Sequence, residues 1–134
     1  MAFPKIDACI VCEGAREEIL SKFILLGFFG IAPHARVAIR DFKLPVALCF
    51  VFCGGRGEGK FNVGMRVTDL QGAAIPGQSP DLINAEVKKE KPSTSVFMTF
   101  LGAVQKPGRY RVALLVNNVE HYSTTVDIDQ MPAM

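Results

Sequence analysis

The chain has no tryptophan, and it has two histidines in 134 residues. It lacks any apolar run of about 18 residues free of charge or glycine, so nothing in it reads as a membrane-spanning helix. The opening residues, MAFPKIDACIVCEGAREE, lack a basic segment followed by a clean apolar one, and acidic residues arrive too early for a secretory signal. A cytoplasmic location is the expectation. An excess of charge is also missing. Fifteen Lys and Arg face thirteen Asp and Glu, a net charge of +2 that is too balanced to point to nucleic acid. Internal repeats, low-complexity tracts and linkers are absent, so residues 1–134 are expected to form a single domain.

Apolar residues are abundant, with ten phenylalanines and 49% hydrophobic residues. They sit between turn signals at Pro33, Gly54 to Gly59, Gln71-Gly72, Pro76-Gly77, Pro92, Lys106-Pro107-Gly108 and Asn117-Asn118. Phe61 to Thr68 alternates strictly, with Phe61, Val63, Met65 and Val67 on one face. Tyr110 to Val116 and Tyr122 to Ile128 repeat the pattern. The last two predict a hairpin whose apolar faces coincide if Leu114 opposes Tyr122 and Val112 opposes Thr124. That register calls for a three-residue loop, Asn117-Asn118-Val119, and sets Arg109 opposite Asp127. Val46 to Cys53 is apolar on both faces, as a strand covered on both sides or lying at an oligomer interface would be.

Arg16 to Ile31 is ambiguous. Leu20, Phe23, Ile24, Gly27, Phe28 and Ile31 fall at helical spacing behind acidic residues, while Gly27, Gly30 and the density of Phe and Ile favour a strand.

Three motifs invite a chemical reading. In CGGRGEGKF, Gly54, Gly59 and Lys60 match a phosphate-binding loop except at its last position. Phe61 follows Lys60, so no hydroxyl is available for magnesium, and the loop leads into a strand where the motif needs a helix. It is expected to be a mildly basic hairpin loop, with Arg56 and Lys60 as weak anion contacts. The cysteines, Cys9, Cys12, Cys49 and Cys53, suggest zinc at first sight. A strand sends Cys9 and Cys12 to opposite faces, and Cys49 and Cys53 lie about 13 Å apart along an extended chain. Buried reduced thiols are expected, with no metal and no cofactor. Among polar residues, His34 is placed in a loop and His121 at the outer face of a strand. Glu17-Glu18 and the mixed run Lys88-Lys89-Glu90-Lys91 are expected to be solvated. No catalytic set is signalled.

Read in order, DACIVCEG, ILLGFF, KLPVALCFVF, KFNVGMRVTDLQGAAI and KPGRYRVALLVNNVEHYSTTVDI resemble a bacterial family of small immunoglobulin-like β-sandwich proteins without an assigned activity. The resemblance covers most of residues 7 to 129. It transfers no catalytic residue. It implies that residues 17 to 31 include a strand paired with residues 7 to 13.

The resulting expectation is an all-β, immunoglobulin-like two-sheet sandwich of about seven strands. Its core would hold Phe50, Phe52, Val63, Met65, Val67, Phe100, Tyr110, Val112, Leu114, Val126 and Ile128. The expected function is a non-catalytic binding or protein-interaction module forming a homo-oligomer, with residues 23 to 29 as a contact surface and a further protein partner possible. Membranes and nucleic acids are not expected partners. The alternatives are a small hydrolase or transferase built on loops bearing Arg56, Lys60 or His34, and a structural subunit of a larger assembly.

Overall fold

In the computed structural model, residues 2–17, 23–42, 45–78 and 82–132 are described. They form nine strands and no helix: β1 (Ile6–Glu17), β2 (Phe23–Ile31), β3 (Arg36–Ile39), β4 (Val46–Gly54), β5 (Gly59–Asp69), β6 (Ile83–Val87), β7 (Thr94–Gly102), β8 (Gly108–Val116) and β9 (Val119–Gln130). One sheet runs β2-β1-β4-β7 and the other β3-β9-β8-β5-β6. Every pairing is antiparallel except β3 with β9, which is parallel.

The topology is that of an immunoglobulin-like sandwich. Strands β9, β8, β5 and β6 follow the G-F-C-C′ order, and β4 and β7 take the B and E places in the facing sheet. Tyr110 opens the F-like strand, and its hydroxyl donates to the Lys106 carbonyl at 2.6 Å, the tyrosine corner of such sandwiches. The two strands beyond the expected seven arise near the N-terminus, where β2 extends one sheet and β3 joins the other.

The expected core residues all lie in one buried cluster between the sheets, joined by Leu48, Met98 and Val104 among others. Each enters from an alternating strand position, so the period-two pattern converts directly into interior packing. The far half of β5 is sealed on its second edge by a connecting segment. Gln78 Oε1 accepts from Val67 N at 2.7 Å and its Nε2 donates to Val67 O at 2.9 Å. This side chain does for Val67 what a neighbouring strand would do.

The β8–β9 register places Leu114 opposite Tyr122, Val112 opposite Thr124 and Arg109 opposite Asp127, as the alternation requires. The loop differs from expectation. Val116 pairs with Val119, leaving a two-residue turn in which Asn117 and Asn118 have φ of 50° and 65°. Two left-handed residues match the twist of a hairpin, and Asn tolerates that conformation. The register instead shifts between Leu114 and Leu115, so the residue expected in the loop is accommodated as a bulge beside His121.

The segment containing Phe23–Ile31 is a strand, and its pairing with β1 runs from Ile10 as far as Glu17, further than residues 7 to 13. Residues 18–22, including Glu18 and Leu20, lie outside the described residues. Gly27 has φ of +62° and Gly30 of +138°. The register shifts between Val11 and Cys12, opposite Gly30 and Phe28. These irregularities break the period of two and give the apolar residues their helix-like spacing.

Two consequences are measurable. Tyr110→Phe removes the corner hydrogen bond and leaves the Lys106 carbonyl without it, and urea denaturation should show a loss of about 1 kcal/mol. The second concerns Asp127, whose carboxyl is held below its ordinary pKa chiefly by the hydrogen bond from the Arg109 guanidinium, at 2.8 Å. A depressed carboxylate stabilises the fold above its unfolded pKa of about 3.9, and that contribution disappears as pH falls below it. Wild-type protein should therefore lose more stability than Asp127→Asn on going from about pH 5 to about pH 3.

Candidate binding cleft

The outer face of the β2-β1-β4-β7 sheet carries Cys12, Cys49 and Val51, all buried although they point away from the sandwich core. Their cover comes from the same chain. Ala15 and Leu25, a cross-strand pair on β1 and β2, pack against this cluster together with Phe97. Phe23 reaches Phe97 on β7, at the opposite edge of the sheet, with ring centroids 5.4 Å apart and nearly perpendicular. The far end of the β1–β2 pair therefore curls across the outer face as an arm. The two-faced apolar character of β4 is explained by a second sheet on one side and this arm on the other.

The arm also shapes a cleft. Strand β6 belongs to one sheet and β7 to the other, so the chain between them bridges the sandwich. In this bridge Lys91 N donates to the Lys88 carbonyl at 3.1 Å, closing a β-turn with a lysine at each end. Lys88, Lys91, Glu86, Thr94, Phe23 and Phe97 line a cleft of about 200 Å³. No ion pair engages either lysine among the described residues.

The glycine-rich loop is not a hairpin loop, because β4 and β5 belong to different sheets. Residues 55–58 carry the chain from one sheet to the other. Two of its glycines answer to packing. A Cβ on Gly54 would lie 2.6 Å from the Lys5 carbonyl, and one on Gly57 would lie 2.6 Å from that of Ala2. Arg56 is exposed in this loop. Lys60 lies on β5 directly opposite Glu86. It lines two shallow clefts along β5 and β6, neither of which includes Arg56. His34 lies in the turn after β2, and His121 bonds through Nε2 to the Pro4 carbonyl at 2.8 Å, with Phe3 against its ring.

Cys9 faces the sandwich core, while Cys12, Cys49 and Cys53 lie on the arm-covered side. Cys12 and Cys49 are direct cross-strand partners, a relation no spacing in the sequence announces. Among the described residues no three His, Cys, Asp or Glu side chains are grouped as a metal site would require. Burial, reinforced by neighbouring thiols, pushes Cys9 and Cys49 up to about 12, and burial also raises Cys12 and Cys53.

The run Lys88-Lys89-Glu90-Lys91 is exposed, as expected, but the sequence did not show that Lys88 and Lys91 line this cleft. The available signal was the order KKEKPSTS, in which lysines give way to hydroxyl residues as a strand begins. Phe23, far away in the chain, could not be joined to it without the fold.

No family model matches the chain, and neither does any curated protein. Similar solved structures include an immunoglobulin-like protein from Pseudomonas aeruginosa, at 12% identity and TM-score 0.40, covering 95% of this chain and 97% of that one. Another is the alkylpurine DNA glycosylase AlkC of Pseudomonas fluorescens, bound to DNA containing an abasic-site analogue, at 13% identity and TM-score 0.41. That alignment covers 73% of this chain, which spans 28% of the glycosylase.

Thiol labelling checks the cysteine environments. At pH 8 the folded protein should leave Cys9, Cys12 and Cys49 unmodified and react first at the half-buried Cys53, with all four reacting in denaturant.

Proposed function

We propose that this protein is a non-catalytic interaction module that self-associates through the outer surface and edge of β2, a strand that among the described residues pairs only with β1. The observation that carries the reading is the strand itself. Phe23–Ile31 is nine residues long, contains no charged residue and lies at the end of its sheet. Leu26, Phe28 and Ile31 are 55%, 59% and 51% exposed.

Edge strands of stable monomers are commonly guarded by charge, by bulges or by a covering segment. Here irregularities at Gly27 and Gly30 provide partial protection, but no Lys or Glu on β2 opposes the approach of another strand. A second copy brings no charged side chain of β2 itself against the strand, and twofold pairing would put both apolar rows in one contact. The arm already accounts for the cover over β4, so self-association rests on β2 alone.

Native mass spectrometry with light scattering tests this. The wild type should run as a closed oligomer, and Leu26→Glu with Phe28→Glu should shift it to monomer without changing its circular dichroism. A wild type that is monomeric at its highest soluble concentration would sink self-association. A monomer that captures a strand from a different protein would assign the edge to another partner.

A further inference from the structure

We propose that the cleft between the β6–β7 bridge and Phe23, at the start of β2, binds a small aromatic carboxylate. Three features of the cleft select that class of ligand. The first is charge. Lys88 and Lys91 are held at the two ends of one β-turn by the Lys91 N to Lys88 O bond, so their stems leave the backbone close together. Neither ammonium is neutralised by an ion pair among the described residues. Glu86 lines the same cleft, so the lining carries two positive charges and one negative, a net +1. That balance favours an anion over a neutral ligand.

The second feature is the apolar wall. Phe23 and Phe97 meet edge to face at 5.4 Å, an arrangement that a third ring can extend. The third is size. A dry cavity of roughly 150 Å³ holds a benzene molecule, so about 200 Å³ accommodates one ring together with a carboxylate. Ser93 and Thr94 also line the cleft and are residue types that donate hydrogen bonds to a carboxylate. The cleft is built from parts of both sheets and the arm, a junction of the kind in which ligand sites form.

The probe is phenylacetate, titrated into the isotope-labelled full chain and followed by NMR. Saturable shifts are expected at residues 86–97 and at Phe23. Lys88→Gln with Lys91→Gln should weaken binding about tenfold, since exposed charge-assisted contacts to a carboxylate are lost while the fold has no need of them. The spectrum of that variant reports directly whether it remains folded. 2-Phenylethanol, which keeps the ring and lacks the charge, should bind at least as weakly. Shifts that do not saturate, shifts centred elsewhere, or equal binding of 2-phenylethanol would overturn the proposal. Inorganic phosphate that displaces phenylacetate and binds more tightly would also overturn it, because the ring would then contribute nothing. The Leu26→Glu, Phe28→Glu variant should retain phenylacetate binding, so failure of the oligomer and failure of the cleft can be told apart.

Discussion

Strand β4 is apolar on both faces, and the whole molecule is arranged to cover it twice. Leu48, Phe50 and Phe52 point into the sandwich, where the second sheet buries them. Cys49 and Val51 point the other way and would face water in a simple two-layer sandwich. Each large side chain left in that position forgoes about 1.5–3 kcal/mol of burial. The arm answers this requirement. Its inner residues, Ala15 and Leu25, cover the outer cluster, and Phe23 anchors the end on Phe97. A strand with a polar outer face would have had no use for an arm.

The covering moves the exposure elsewhere. A two-stranded arm has two faces, and only one can lie on the sheet. In β2, Leu25 turns inward, so its neighbours Ile24 and Leu26 turn outward, and Phe28 and Ile31 are exposed further along. The apolar surface removed from β4 thus reappears on β2, now at a sheet edge. The same displacement creates the cleft, because Phe23, at the start of β2, lines it together with the bridge between β6 and β7. Core cover, edge surface and cleft are three consequences of one packing requirement.

Alternation made much of the sandwich legible. In β5, β8 and β9 it gave the buried set, and in the last hairpin it gave the register with its Arg109–Asp127 pair. It could not say which sheet a strand joins, because period two reports faces and not neighbours. Hence the four-residue connection after Gly54 suggested a hairpin, although it crosses between the sheets. Nor could it resolve β2, where Gly27 and Gly30 interrupt the pattern. The two-residue Asn117-Asn118 turn was hidden for a related reason. The face constraint fixes how many residues separate the aligned positions, and it does not fix whether the odd one sits in the turn or in a bulge.

The candidate site was the least legible part, and the reason is physical. Arg56 and Lys60 stood out because they lie in a glycine-rich motif, yet Gly54 and Gly57 answer to the close approach of Lys5 and Ala2, and Gly59 to a positive φ beside Phe61. The bridge lysines stood out in no motif. They gain meaning only because a tight turn holds them together and an aromatic pair from distant strands faces them. A binding cleft in a sandwich of this kind is assembled from connections, and connections acquire their neighbours only when the strands that carry them have paired. Lys88 and Lys91 are local to one another in the chain, but Phe23 reaches them through the arm, and the arm is folded over because β4 needs covering. The chemistry of the cleft is therefore coupled to the packing of the strand that lies behind it.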